Sequence, residues 1–301
     1  MQIGTKQFFQ TQVTSMNDLQ SQIGKIQEQV SSGKSILVPS DNPGGYTTAA
    51  RLSRSEASIQ QYSRNISVAK SRLGQEDTVL SSSANILSRL NELTIAGSNG
   101  TNSQASRTAI ADEMSQLSDQ LVALGNTKDP NGDYLFGGYK TKNPPFITTA
   151  DGVAYVGDTG RKEVELAQGF STPTSSNGNE IFMNASRDAS GKPISIFQVI
   201  KNATTQLASG NLTNDNVSQI QAAIDHNSAY QSICGSRMQK VDNIDQNSQA
   251  LLLNVQQDKS AVEDADLTKL ATELQQKTLT LNASESVFAK VAQLSLFNYL
   301  K

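Results

Sequence analysis

Residues 46–96 read YTTAARLSRSEASIQQYSRNISVAKSRLGQEDTVLSSSANILSRLNELTIA, and within them apolar residues return at Leu52, Ile59, Ile66, Leu73, Leu80 and Leu87, each seven after the last. No proline interrupts the stretch, and Ser, Gln, Arg, Asn and Glu fill the positions between. A seven-residue repeat sustained this far keeps one stripe of a helix against a partner as the two supercoil. At 1.5 Å per residue the predicted helix is about 75 Å long, beyond the length of most helices in globular cores.

The same texture lies on both sides. Phe9, Val13, Met16, Leu19, Ile23, Ile26 and Val30 follow one another at intervals of three or four, and the stripe stops at Ser31-Ser32-Gly33. Gly33 supplies the left-handed conformation that ends a helix, while Pro39, Pro43 and Gly44-Gly45 are expected to keep the next dozen residues irregular. A second break falls at Gly97 to Asn102. Beyond it Ile110, Met114, Leu117, Leu121 and Leu124 predict a third helix, antiparallel to the second because the connection is short. From about Asp129 glycine and proline become frequent, and runs such as Tyr134-Leu135-Phe136, Val153 to Val156 and Val164-Glu165-Leu166 are bounded by turn residues. Five to seven short strands are expected between about 130 and 193. Helical spacing resumes with Phe197, Ile200, Ala203 and Leu207, continues through Val217, Ile220, Ile224, Val241, Ile244, Leu251, Val255 and Val262, and ends with Leu267, Leu270, Leu274, Leu281, Phe288 and Val291.

These patterns predict a mainly α chain with a small β-rich insert, its N- and C-terminal segments packed side by side as long coiled-coil helices. Three parts are expected: a terminal assembly domain of residues 1–45 and 262–301, a middle helical bundle of 46–129 and 194–261, and an outer β-rich insert of 130–193. The terminal seams would be marginal alone and need partners, of which identical copies are the nearest supply. The expected assembly interface is Phe9, Val13, Met16, Ile23, Ile26 and Val30 with Leu267, Leu270, Leu274, Leu281, Phe288, Val291, Leu294 and Phe297.

Composition narrows the function. The 301 residues carry a net charge of -3 with no Lys/Arg-rich run, so no basic face is available to neutralise phosphates and nucleic acid is not an expected partner. Trp is absent and aromatics make up 5%, which suits thin helical layers better than a deep enzyme pocket. Met1 to Gln20 lacks the pattern of a cleaved secretory signal, and apolar runs such as Leu251 to Leu253 are far too short to span a bilayer. A single cysteine, Cys234, leaves no intramolecular disulfide.

Chemical motifs are fragmentary. Gly33-Lys34-Ser35 ends like a phosphate-binding loop, but Glu28 stands where the loop's first glycine belongs. Asp129, Asn131 and Asp133 match the first ligands of a calcium loop, whereas Tyr134 and Lys140 occupy its sixth and twelfth positions. His226 and Cys234 stand eight apart with no second His in the chain, which builds neither a zinc site nor a His-based triad. Glu263, Asp264 and Asp266 read as a solvated face or a cap before Leu267. No catalytic residue, metal or cofactor is expected.

Several stretches resemble the flagellar hook-associated protein 3 family, the hook–filament junction proteins. They are the start from Met1 to Phe9, Gln27 to Lys34, Pro39-Ser40-Asp41-Asn42-Pro43, and Asn131 to Gly138. The end, Ser286 to Lys290 followed by Gln293 to Leu300, is similar to the family's closing signature, which flagellin lacks. Gly44-Gly45 departs from it where many relatives carry alanines, which bears on the stiffness of the spacer. Residues 140–193 match only in being a β insert. The resemblance implies a subunit layered between hook and flagellin filament, with terminal helices lining the inner tube and the insert outside. It further implies export through the flagellar apparatus to the extracellular flagellum without a cleaved signal, and a chaperone on the C-terminal helix. Partners would be other copies, a neighbouring hook-associated protein and flagellin-side subunits. Flagellin itself, or a secreted coiled-coil binding protein, are the alternatives.

Overall fold

The computed structural model describes residues 2–188 and 190–297, with side chains described over 7–188 and 190–292. It is 69% helical. Among the described residues six α-helices carry the chain: α1 (Gln2–Ser32), α2 (Pro43–Gly97), α3 (Gln104–Gly125), α4 (Ile196–Ala208), α5 (Asn214–Glu263) and α6 (Leu267–Phe297). Between α3 and α4 lie six short strands in three separate antiparallel pairs: β1 (Phe146–Thr149) with β2 (Gly152–Tyr155), β3 (Glu163–Ala167) with β4 (Phe170–Pro173), and β5 (Ser186–Arg187) with β6 (Pro193–Ile194). The chain divides into two compact units, one of Met1–Ser58 with Leu251–Lys301 and one of Ile59–Ala250.

All six heptad residues of α2 are buried, from Leu52 at 8% exposure to Leu73, Leu80 and Leu87 at 0%. In the unit of residues 59–250 their neighbours are identified by cross-helix polar contacts. Arg89 donates to Glu113 of α3 at 2.9 Å, and Arg72 is paired with Asp129 just beyond it, so α3 runs back along α2 as its short connection requires. Against α5, the Cys234 thiol meets the Leu73 carbonyl and the Asn227 amide donates to the Leu80 carbonyl at 2.9 Å, so that helix is antiparallel to α2 as well. Gly97 ends α2 where an added Cβ would come within 2.6 Å of the Leu207 side chain on α4, so that side chain would have to shift.

The insert is not a thin layer. Phe136, Phe146 and Phe182 are essentially fully buried; Phe182 meets Phe136 and Phe146, and both Phe146 and Phe182 meet Phe197 of α4, with ring centroids 5.2 to 6.2 Å apart. Four of the nine phenylalanines thus share one dense core. Tyr134-Leu135-Phe136, expected as a strand, is a turn with Leu135 and Phe136 buried, and its β pairing is one isolated bridge from Tyr134 to Lys128. Gly138 follows at φ +71° and turns the chain before a ladder can form. The polar segment Thr174-Ser175-Ser176-Asn177 is buried too, held by the Glu76 carboxylate accepting from the Ser176 N–H at 3.0 Å and by Arg237 donating to the Ser176 hydroxyl at 2.8 Å.

In the unit of residues 1–58 and 251–301, the irregular stretch is shorter than expected. Gly33 stops α1 at φ +71°, but Pro43 already opens α2 and Gly44-Gly45 lie in its first turn. Proline suits a first helical position because its missing N–H needs no partner there. The Asn42 side chain accepts from the Gly45 N–H at 2.9 Å, capping the helix. On α5 the inward stripe runs through Val241, Ile244, Ser248, Leu252 and Val255 in steps of three and four, and Leu251, one position off it, is 52% exposed.

Candidate assembly surfaces

The α1 and α6 helices form an antiparallel pair. Phe9 packs edge-on to Phe288 with centroids 5.3 Å apart, and near the other end Lys277 donates to Gln22 at 2.7 Å. The α6 residues turned toward α1 are Leu270, Leu274, Lys277, Leu281, Ser284, Phe288 and Val291, spaced four and three. Lys277 and Ser284 dilute the seam. Of the predicted interface residues, Ile26 is buried and Phe9, Met16, Ile23, Leu270, Leu274, Leu281, Phe288 and Val291 are half-buried within the chain's own pair. Val13, Val30 and Leu267 are exposed, because the seam of α1 steps from Phe9 to Gln12 to Met16 and passes Val13 by. Leu294 and Phe297 lie outside the residues whose side chains are described.

Heptad reasoning missed a second face. Leu279 is 71% exposed and Val287 54%, and with Ala283 they stand four apart on α6, on the side turned from the seam. They border a shallow groove with Gln12, Thr280 and Ser284. Phe8 adds an exposed ring on α1. The signal in the sequence is the i, i+4 spacing of Leu279, Ala283 and Val287, off the seam positions.

Where α1 and α5 end, the two chain breaks are joined. Ser35 N–H donates to the Glu263 carbonyl at 2.7 Å, Ala265 N–H to the Gly33 carbonyl at 2.9 Å, and Lys34 is ion-paired with Glu263. Asp41 accepts from the Leu37 and Val38 N–H groups at 3.0 and 3.1 Å, and the Lys25 ammonium, with those two donors, holds its carboxyl below the usual range. The interruption of one helix is therefore braced by the interruption of the other.

The chemically suggestive residues are occupied structurally. His226 Nε2 lies 2.8 Å from the Glu180 carbonyl oxygen. Cys234 is buried, and desolvation, reinforced by Glu76 and Asp77, pushes its thiol up to about 12, which leaves little reactive thiolate at neutral pH. Lys34 of the loop-like Gly33-Lys34-Ser35 is committed to Glu263. One Asp129 oxygen accepts from the Asn131 and Asp133 N–H groups and the other pairs with Arg72, while Asp133 pairs with Lys142, so these carboxylates close their own turn. Among the described residues no three His, Cys, Asp or Glu side chains converge on a metal-sized site, and no helix is long and apolar enough to cross a membrane.

What this geometry offers is exposed helix surface, and known proteins match the chain. The profile of the bacterial flagellin N-terminal helical region matches residues 3–141. Flagellar hook-associated protein 3 of Escherichia coli is 26% identical to the chain over 319 aligned positions that cover 100% of both. The likeness to this hook-associated protein runs the full length of both chains. A flagellin of Clostridium tyrobutyricum is 29% identical, but over only 54% of this chain and 42% of its own length. The likeness to the Escherichia coli protein thus runs beyond the part that this flagellin matches. The crystal structure of the flagellar junction protein FlgL from Legionella pneumophila superposes with a TM-score of 0.57 at 19% identity, covering 64% of this chain and 99% of that one, a likeness of fold.

Proposed function

We propose that this chain is the structural subunit of the junction between hook and flagellin filament in the bacterial flagellum, forming a layer by self-association through its terminal helices. The observation that carries the reading is the similarity to hook-associated protein 3 of Escherichia coli across the full length of both chains, against the 54% of this chain matched by the flagellin of Clostridium tyrobutyricum. In this reading residues 1–45 and 262–301 make the assembly domain, 46–129 and 194–261 the supporting bundle, and 130–193 the outer insert. The half-buried seam from Phe9 to Ile26 and from Leu270 to Val291 orders the terminal pair. The exposed Val13, Val30 and Leu267, with Leu294 and Phe297, meet neighbouring copies.

The role is non-enzymatic, in keeping with the structural occupation of His226 and Cys234. Partners are other copies, the adjoining hook-associated protein, flagellin-side subunits and an export chaperone on α6. The protein works outside the cell, reached through the flagellar export apparatus without a cleaved signal peptide. Electron microscopy of cells lacking the gene tests the reading: bare hooks that shed flagellin into the medium are expected, and normal filaments would overturn it.

A further inference from the structure

Asparagine followed by glycine occurs three times in the chain, at Asn99-Gly100, Asn131-Gly132 and Asn177-Gly178, all in the unit of residues 59–250. Such a pair carries chemistry of its own, because the nitrogen after an asparagine can attack the side-chain amide and glycine puts no Cβ in the way. The attack requires a free glycine N–H, a backbone able to turn that nitrogen toward Cγ, and an electron-poor amide carbon. The fold meets these requirements differently at the three places. The Gly132 N–H donates to the Asp129 carbonyl at 2.9 Å, inside a turn whose Asp129 carboxylate also takes the Asn131 and Asp133 N–H groups. The Gly178 N–H donates to the Phe136 carbonyl at 3.2 Å. The Asn177 side chain beside it is buried, its amide donating to the Asp158 carbonyl and its oxygen accepting from the Asn179 N–H at 2.8 Å. Both of these pairs are locked.

Asn99-Gly100 is open. It lies in the connection between α2 and α3, both residues are exposed, and the Gly100 N–H has no acceptor among the described residues. A Cβ placed on Gly100 would meet nothing within 4 Å, and its φ lies outside the left-handed region, so no packing holds this peptide in one orientation. The Asn99 side chain is folded over it. Asn99 Oδ1 accepts from the Thr101 N–H at 3.1 Å and from the Thr101 hydroxyl at 2.9 Å, the turn in which an asparagine reaches the backbone two residues on. Two donors on Oδ1 draw electron density from Cγ, and they stand where negative charge develops when a nucleophile adds to that carbon. A free nucleophile and a polarised amide carbon therefore meet at this one pair.

We infer that Asn99 is a site of spontaneous covalent modification, converted through a cyclic imide with Gly100 to aspartate and isoaspartate. The Gly100 nitrogen gives its proton to hydroxide and bonds to Asn99 Cγ. The Cγ–Nδ2 bond breaks, and Nδ2 leaves as ammonia by taking a proton from water, which returns the hydroxide. Water then opens the imide at Cγ, leaving aspartate, or at the backbone carbonyl carbon of residue 99, leaving isoaspartate. No electrons are exchanged, and water is the only co-reactant. Either product adds a negative charge between α2 and α3. Isoaspartate also routes the main chain through the former side chain, one atom longer, and makes a free carboxylate of the carbonyl that accepts from the Asn102 N–H at 3.1 Å.

The test holds the purified full-length chain at mildly alkaline pH and samples it over days. Peptides are fragmented by mass spectrometry to place each change, and isoaspartate is counted with an isoaspartate-specific methyltransferase. A mass gain of about 1 Da should appear at Asn99, while Asn131 and Asn177 keep their amides. In urea, where the fold no longer separates them, all three should convert at similar rates. Gly100→Ala, whose Cβ has room, should keep the melting curve and slow the conversion by about tenfold or more, because the Cβ crowds the approach and narrows the backbone's range. Thr101→Val removes one donor to Oδ1 and should slow it less. An unchanged Asn99 in the folded chain, a gain at Asn102 in its place, or equal conversion at Asn131 or Asn177 would overturn the site. So would Gly100→Ala converting as fast as wild type, or a preference for Asn99 that persists undiminished in urea.

Discussion

Phe182→Ala should be among the most damaging single substitutions in the unit of residues 59–250. The ring is fully buried and sits between Phe136, Phe146 and Phe197 at 5.6, 5.2 and 6.2 Å. Truncating a buried Phe to Ala costs about 3–5 kcal/mol from lost transfer energy and the cavity left behind. The upper part of that range applies here, because the neighbouring rings are rigid and each aromatic pair adds about 0.5–1.5 kcal/mol beyond area burial. For a unit of this size a loss of 1 kcal/mol lowers the melting temperature by about 2–4 °C, so a drop of about 6–20 °C is expected. Phe182→Leu keeps most of the volume and should cost less than Phe182→Ala, about 1–3 kcal/mol with the lost ring pairs included. Thermal unfolding followed by circular dichroism measures both. A drop below about 3 °C for the alanine variant, or equal losses for Ala and Leu, would refute the claim that this aromatic cluster joins the insert to α4.

Other outcomes follow from the same contacts. Arg72→Met leaves Asp129 buried without its partner and should cost about 3–5 kcal/mol, with much of that recovered in Arg72→Met/Asp129→Asn; denaturant midpoints of the two variants check this. Burial raises the carboxyl of Glu76 above its ordinary value against the opposing pull of Ser176, Arg237 and Arg72. Its contribution to stability is therefore full below the unfolded-state value and is lost as pH rises through the folded-state one, so Glu76→Gln should gain stability relative to wild type as pH rises from acid toward neutral. Equal urea midpoint differences at both ends of that range would count against it. Leu281→Asp and Phe288→Asp, in the terminal pair, should spare the melting of residues 59–250 yet abolish assembly, and limited proteolysis of the dilute chain should trim both ends first. Removing residues 141–192 would take Phe146 and Phe182 out of the core, so the outer position of the insert is better tested by a tag placed at the β3–β4 turn near Gly169 and read by antibody on intact flagella.

The repeat by itself determined the helices. Six apolar residues at sevenfold spacing leave a helix no other stable way to hide its stripe, and all six are buried. The glycine at 33 and the break at 97–102 were legible for the same local reason, since chain reversal needs residues that tolerate it. Three features depended on tertiary structure. The burial of Thr174 to Asn177 arises because Glu76 and Arg237, a hundred and sixty residues apart in the chain, happen to offer the partners those groups need. The exposure of Val13 and Leu251 follows from where the neighbouring helix passes, which spacing alone does not encode. Which of the three Asn-Gly pairs stays open was likewise decided by the fold, which gives Gly132 and Gly178 carbonyls to donate to and gives Gly100 none, because a peptide N–H is left to attack only after the fold has chosen which donors to satisfy within itself.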